Sequence, residues 1–357
     1  MLSILRTWAG FALGTLACAS SLDTWAAPPP ETPQQVWASL RDTRGFDARL
    51  EAASRLFLGR AYSSSPTGDG PGSELDERLP YDFRNFDCVT FVDTVWALSV
   101  ASSPEEFDHQ LDRIRYADGK RSFLNRYHHP DADWTRGNEK SGILEDITAQ
   151  VAAPLEVARA EFKLDRAAFF RAIRPASLHL AGLSDEERLE KLRRIRISTS
   201  KIPPETAAIP YIRMEDVLPR RAISAVQAAA DRQEFDLKKS ETADLGPRGR
   251  KLALGRVKAR QWRRDLTVNL DLVRRIPNGA VLQIVKPNAD RRASIGTPVN
   301  ITHRGLLFWR KGTLYLRHAS NDRHVVFEEP LIQHLKWILG DPELGGINLL
   351  RWRRKEP

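Results

Sequence analysis

Phe86-Asp87-Cys88-Val89-Thr90-Phe91-Val92-Asp93-Thr94-Val95-Trp96-Ala97-Leu98-Ser99-Val100 is apolar on most faces and closed by Ser102-Ser103-Pro104. A run of about four turns, apolar all round, predicts a helix buried in a core rather than one lying on a surface. Asp87 is the natural N-cap, because its carboxylate can accept from the free amides of the first turn. Cys88 then falls at the first helical position. The unsatisfied N–H groups and the dipole there favour an anion, so a thiolate is the form this placement should encourage. The Cys88 amide, lacking an intrahelical partner, is available as an oxyanion donor.

Outward from this helix, the chain divides into a helical first part and a β-rich last part. Val36, Leu40, Phe46, Leu50 and Leu56 are spaced for one or two short helices. Ser63 to Gly72, with Pro66, Gly68, Gly70 and Pro71, predicts a surface loop. Residues 105–175 read as helical around a polar loop at 116–138, and residues 176–218 are mixed. From Ala280 the runs Val281–Val285, Ile301–Trp309, Thr313–His318, His324–Phe327 and Gly346–Trp352 read as strands, with Lys311-Gly312 as a hairpin turn. Helices followed by an antiparallel sheet predict an α+β fold.

That hairpin supplies the partners a nucleophilic cysteine needs. His303 sits in one strand and His318 on the next, which brings two imidazoles to one face. His303 is then the candidate base and His318 the group that orients it. Gly305, two residues after His303, is expected to leave room for the helix to approach. A thiolate activated in this way should react with iodoacetamide near neutral pH faster than an ordinary thiol.

The N-terminus carries one positive charge, Arg6, before the apolar run Trp8–Ala17. That run is too short to span a membrane and suits a signal-peptide core, with small residues before Pro28 for cleavage. The expected organisation is a signal peptide at 1–27, a Pro-rich tether at 28–35 and a single catalytic domain at 36–357. Thr15-Leu16-Ala17-Cys18 also resembles an imperfect lipoprotein box, which would lipidate Cys18. The protein is expected to be periplasmic or otherwise exported. Only Cys18 and Cys88 occur, so the mature chain keeps one unpaired thiol in an oxidising compartment. Such a thiol is either a buried small hydrophobe or chemically employed.

The net charge of +9 is concentrated. Pro219 to Arg264 holds 13 Lys/Arg against 5 Asp/Glu, an excess of eight that leaves the rest nearly neutral. This stretch predicts a basic helical insertion at 219–264. It is either a solvated face or a contact for anionic wall polymer or lipid headgroups. Export argues against nucleic acid as the partner.

The motifs Phe86–Asp93, His303-Arg304-Gly305 and Arg317-His318-Ala319-Ser320 resemble the N-acetylmuramoyl-L-alanine amidase-like branch of the NlpC cell-wall cysteine hydrolases. The resemblance extends to Gly59-Arg60-Ala61-Tyr62, to Asn125-Arg126-Tyr127-His128 with Asp133-Trp134 and Asn138, to Glu145–Thr148 and to Ile276–Val281. It implies a circularly permuted papain-like fold with Cys88, His303 and His318 as catalytic residues. The implied reaction is hydrolysis of the amide between N-acetylmuramic acid and L-Ala in peptidoglycan fragments, or muropeptides. The wider superfamily more often cuts the D-Glu–diamino acid bond, which is the nearest rival activity. Acyl transfer to lipid or amine and a catalytically silent wall-binding lipoprotein are the others. Two departures from the branch stand out: Asp93 replaces a usual Glu, and the basic stretch has no counterpart.

Arg126, His128, Asp133, Trp134 and Asn138 form a polar and aromatic cluster suited to sugar or peptide recognition, or else a loop pinned by its own hydrogen bonds. Tyr62 either donates near the substrate and sulfur or is a core tyrosine. His128-His129 with Asp131 and Asp133 has the composition of a metal cluster. Adjacent histidines do not readily face one ion, however, so no metal is expected, and the thiol mechanism calls for no metal or organic cofactor.

Overall fold

The computed structural model describes residues 31–353. The expected signal peptide, Cys18 and the first residues of the tether lie outside them. The first described helix begins at Pro33, inside the expected tether. Thr32 caps it by accepting from the Gln35 amide while the Gln35 side chain returns to the Thr32 backbone. No helix among the described residues is long and apolar enough to cross a membrane.

The architecture is mixed α and β around one large, mostly antiparallel sheet. Its strands are β1 (Ala61–Tyr62), β2 (Asn85–Phe86), β3 (Leu144–Asp146), β4 (Ala158–Leu164), β5 (Glu205–Arg213), β6 (Val281–Ala289), β7 (Val299–Arg310), β8 (Thr313–Ser320), β9 (Val325–Pro330) and β10 (Gly346–Trp352). They run β2-β1-β9-β8-β7-β6-β10-β5-β4, with β3 also on β10. Only the β1–β2 pair is parallel. The sheet is therefore wider than the C-terminal one expected. β4 alternates Ala158, Ala160, Phe162 and Leu164 inward with charged residues outward, yet two of its four inward residues are alanine, a weak strand signal. The last strand does not close an edge but lies between β6 and β5.

β7 and β8 meet through the turn at Lys311 and Gly312. Both residues have positive φ, +46° and +77°, as a two-residue hairpin turn requires, and only Gly adopts this without strain. Period-two alternation along β7 then sorts its side chains. Leu306 and Phe308 join Phe91, Val92 and Val95 of the Cys88–Val100 helix on one face. Leu307 joins Leu314, Leu316, Leu331 and Leu335 on the other, beneath the Leu331–Ile338 helix.

The Cys88–Val100 helix buries all but its first two residues and its last. Asp87 caps it by accepting from the amides of Val89 and Thr90, and Thr90 Oγ1 accepts from the Asp87 amide in return. The basic stretch forms a helical hairpin, Ala225–Glu241 and Pro247–Asp265. Part of its charge is spent internally, since Asp231 binds Arg220 and Arg264. Arg263 donates to the carbonyls of Lys336 and Trp337, tying the hairpin to the Leu331–Ile338 helix.

The segment Ser63–Gly72 is not wholly at the surface as expected: Thr67 to Gly70 are buried. Asp69 is the reason, because it accepts from the Tyr116 hydroxyl at 2.7 Å and pairs with Arg126 at 2.6 Å. A buried carboxylate is retained only with such partners.

Candidate active site

The cap at Asp87 places Cys88 at the mouth of its helix, and the packing of that helix on β7 brings the sulfur to the strand. The backbone N–H groups of Arg304 and of Cys88 itself lie near enough to Sγ to ease its ionisation. Burial nevertheless pushes the thiol up to about 11, and the Asp87 carboxylate adds to it. The Arg304 guanidinium and the two amides oppose this shift without cancelling it. This runs against the expected thiolate: the helix end favours the anion, while desolvation opposes it. Tyr62 stands beside the same group. Its hydroxyl is pushed up to about 12 by burial and by the charges of Cys88 and Asp87.

His303 and Arg304 leave β7 in opposite directions. Arg304 is buried flat on the Trp134 ring at 3.9 Å. His303 turns to His318, with Nε2 of the first 2.7 Å from Nδ1 of the second. Burial holds His303 well below the usual imidazole range, with the His318 charge next in weight, so the ring is neutral. Among the described residues no hydrogen bond joins this ring to the sulfur. The ring lies on the face of β7 that carries Leu307 and His318, whereas Arg304 and the Cys88 helix lie on the other face.

The hairpin explains the imidazole pair. Leu306 faces Arg317, which sets Gly305 across from His318. A Cβ on Gly305 would lie 2.8 Å from His318 Cβ and 2.9 Å from the Arg317 carbonyl. The absent side chain thus makes room for β8, not for the helix as the sequence suggested, and lets His318 lean diagonally onto His303.

Two further residues complete this group, and sequence reasoning missed both. Glu329 Oε1 lies 3.4 Å from His318 Nε2, and His334 Nδ1 lies 2.9 Å from the same oxygen. Burial works against the Glu329 charge, yet the two neighbouring imidazoles bring its carboxyl down to about 2. One signal existed for Glu329. Val326 packs inward beneath the Cys88 helix, so alternation along β9 turns Glu329 to the His318 face.

A cavity of about 160 Å³ opens beside Asp87 and Val89, lined also by Arg126, Tyr127, His128 and Trp134. It shares Ser65, Arg126 and His128 with a larger one of about 460 Å³, which extends toward Phe169 and Ile173. Arg126 and His128 therefore line the cleft. The His128 ring is held at about 3, chiefly by burial, and rests against Phe123 and Phe169. Trp134 is a cleft wall that donates Nε1–H to Asp93 at 2.8 Å. Burial pushes the Asp93 carboxyl up to about 7 although Arg115, Arg304 and Trp134 oppose it.

Two of the expected substrate contacts serve the loop instead. Asp133 binds His129 and Arg166, and these hydrogen bonds outweigh burial and hold its carboxyl well below the usual range. Asn138 is fully buried, and its amide donates to the carbonyls of Ile114 and Trp134. Both belong to the π-helical turn Pro130–Thr135 and the short helix after it. A buried polar side chain needs such internal partners, and these hold Asp133 and the Asn138 Nδ2 group within the loop. Of the adjacent histidines, His129 is turned to Asp133 and His128 to the Phe123 carbonyl.

A family model described as N-acetylmuramoyl-L-alanine amidase-like matches residues 52–340. The chain belongs to the N-acetylmuramoyl-L-alanine amidase-like family. The match spans the Cys88 helix, the cleft loop and the β7–β8 hairpin, so every part of the site lies within the family's shared region. Among solved structures, a Legionella pneumophila protein is 26% identical, with a TM-score of 0.72 over 91% of this chain and 94% of that one. A Bacteroides uniformis protein described as an N-acetylmuramoyl-L-alanine amidase is 20% identical, with a TM-score of 0.50 over 87% of this chain and 100% of that one. At that identity the second likeness is one of fold. A search among curated proteins gave no match. Membership of this amidase-like family makes a peptidoglycan-related amide the substrate class at family level.

Proposed function

We propose that the protein is an exported cysteine amidase that cleaves the N-acetylmuramoyl–L-alanine bond of peptidoglycan fragments, on a circularly permuted papain-like fold of the NlpC type. The observation that carries this is the sulfur of Cys88 at the start of a capped, buried helix, against the strand residue next to His303. The chain order, nucleophile helix first and histidine strands later, is that of the permuted fold.

With thiol and imidazole both neutral at rest, proton transfer accompanies attack. Nδ1 of His303, the ring nitrogen that His318 does not engage, is the proposed acceptor of the thiol proton, which has to travel by way of water because the ring lies on the face of β7 opposite the Cys88 helix. The same proton passes to the leaving amine, and water then resolves the thioester. In that state His303 donates Nε2–H to His318 Nδ1, and His318 turns its own Nε2–H toward Glu329. The Cys88 amide donates to the developing oxyanion. Arg126, His128 and Trp134 hold the substrate along the cleft, with Tyr62 beside the sulfur.

Alkylation by iodoacetamide checks the resting state. Its rate is expected to rise about tenfold per pH unit from neutrality toward pH 11, following the thiolate fraction of a thiol raised to about 11. At pH 7 it is expected to be slower than that of free cysteine. A fast plateau already present at pH 6 to 7 would mean a preformed thiolate–imidazolium pair and would sink the neutral-pair mechanism.

The raised thiol also favours one rival, a catalytically silent wall-binding module. Defined muropeptides separate the readings by product mass. A free L-Ala-headed peptide supports the amidase, cleavage after D-Glu supports the endopeptidase, and no thiol-dependent product leaves the silent module.

The exposed Arg248, Lys251 and Arg256 of the helical hairpin are proposed to hold the enzyme on anionic wall polymer. Pelleting with purified wall sacculi is expected to fall as salt rises, and to fall at low salt when these three are changed to Gln. Salt-independent pelleting, or an unchanged triple variant, would remove this role.

A further inference from the structure

His318, Glu329 and His334 present one ligand atom each, all within 4.8 Å of one another, and all three side chains are buried. Glu329 Oε1 is 2.9 Å from His334 Nδ1 and 3.4 Å from His318 Nε2. The His318 Nε2 atom is itself buried without a well-formed hydrogen bond. Two imidazoles and one carboxylate form a donor set that borderline divalent ions take in open sites, at metal–ligand distances of about 2.0 to 2.2 Å. Ligand atoms around a tetrahedral ion at that distance stand about 3.3 Å apart, so shifts of about an ångström would close this set. Glu329 and His334 also line a pocket of about 250 Å³, which gives an entry path and room for a water as fourth ligand. Asp322 at its rim adds negative charge, while Arg263, Arg323 and Lys336 oppose a cation there.

We infer that His318, Glu329 and His334 form an inhibitory site for a divalent ion of the zinc and cobalt class. The binding half stands on this geometry alone. The inhibitory half rests on the proposed role of His303 as base. Metal at His318 Nε2 excludes the proton from that nitrogen, so neutral His318 carries its proton on Nδ1 and donates to His303 Nε2. A neutral His303 that accepts at Nε2 holds its own proton at Nδ1 and has no lone pair there for the thiol. Without metal both rings carry their protons on Nε2. Each ring keeps one proton throughout, so the ion switches tautomers without net proton release. Metal and the His318 ring proton compete for Nε2 of that ring.

The full chain carrying Cys88→Ala, which removes the thiol as a rival ligand, is titrated with Co²⁺ and then Zn²⁺. One equivalent of Co²⁺ is expected to give the visible absorption of a four-coordinate site, displaced by Zn²⁺, and Zn²⁺ is expected to raise the melting temperature. Adding His334→Ala, or Glu329→Gln in a second variant, is expected to weaken binding by more than the ten- to hundredfold that loss of an outer-sphere partner costs. No binding at micromolar metal, or binding that both variants leave unchanged, overturns the site. In the wild type, one equivalent of Zn²⁺ is expected to lower muropeptide hydrolysis at least about tenfold, with recovery on chelation. Binding without inhibition overturns the tautomer switch. Absence of thiol-dependent hydrolysis in the chelated protein instead defeats the enzymatic reading, and the titration still decides the site.

Discussion

Cys88→Ala is expected to lower muropeptide hydrolysis by at least about four orders of magnitude while leaving the fold intact. Removal of a covalent nucleophile leaves only the binding and oxyanion contributions, which is why the loss is that large. The fold should tolerate the change because the helix does not depend on the thiol. Asp87 caps the first turn through the amides of Val89 and Thr90, and the buried face begins at Thr90. A stability change within about 1 kcal/mol is expected for a substitution that removes no cap and opens no large cavity. Product mass and thermal unfolding by circular dichroism measure the two halves. Turnover within tenfold of wild type in a folded variant would remove Cys88 from the chemistry.

The largest expected loss of stability lies one residue before His318. Arg317 is fully buried. Its Nε donates to Glu328 at 2.9 Å and its Nη2 pairs with the same carboxylate at 2.5 Å. Its Nη1 donates to Ser54 Oγ at 2.5 Å and to the Glu51 carbonyl at 3.1 Å, and the guanidinium packs on Phe308 at 4.6 Å. One side chain thus fastens the Phe46–Leu56 helix to the sheet. Arg317→Met keeps much of the volume but strands the Glu328 carboxylate with Arg310 alone. A loss of about 3 to 5 kcal/mol is expected, the range for breaking a buried ion pair from one side. Urea unfolding at neutral pH measures it. Adding Glu328→Gln to Arg317→Met should recover part of the loss, since no uncompensated charge then remains. A single-variant loss below about 1 kcal/mol would show that the guanidinium holds nothing.

The Cys88 helix and the β7–β8 hairpin were legible because their signals are local. An uninterrupted apolar run behind a capping Asp reads as a buried helix whatever it packs against. Two β-rich runs separated by Lys311-Gly312 form a hairpin, and that hairpin fixes the separation of His303 and His318. The helical character of the basic stretch was legible for the same reason, although its second helix begins at Pro247, where the sequence reads as a loop. By contrast, β4 was hidden by its alanines, and nothing local told β10 from an edge strand. Asp133 and Asn138 looked like ligand contacts because a polar side chain in a loop carries no mark of the direction it faces. Glu329 and His334 were passed over because the helix that carries His334 follows β9 and folds back over His318 only in the assembled sheet.

The sequence by itself determined the periodic elements, the cap that sets Cys88 at a helix start and the register that pairs the two imidazoles. Each depends on neighbours a few residues away, through backbone geometry and the alternation of side chains. Only the tertiary structure decided the protonation state of the sulfur, the partners of the buried polar groups and the gathering of His318, Glu329 and His334. These depend on how much water each group loses and which distant charges replace it, as at Cys88, where burial outweighs the favourable helix end.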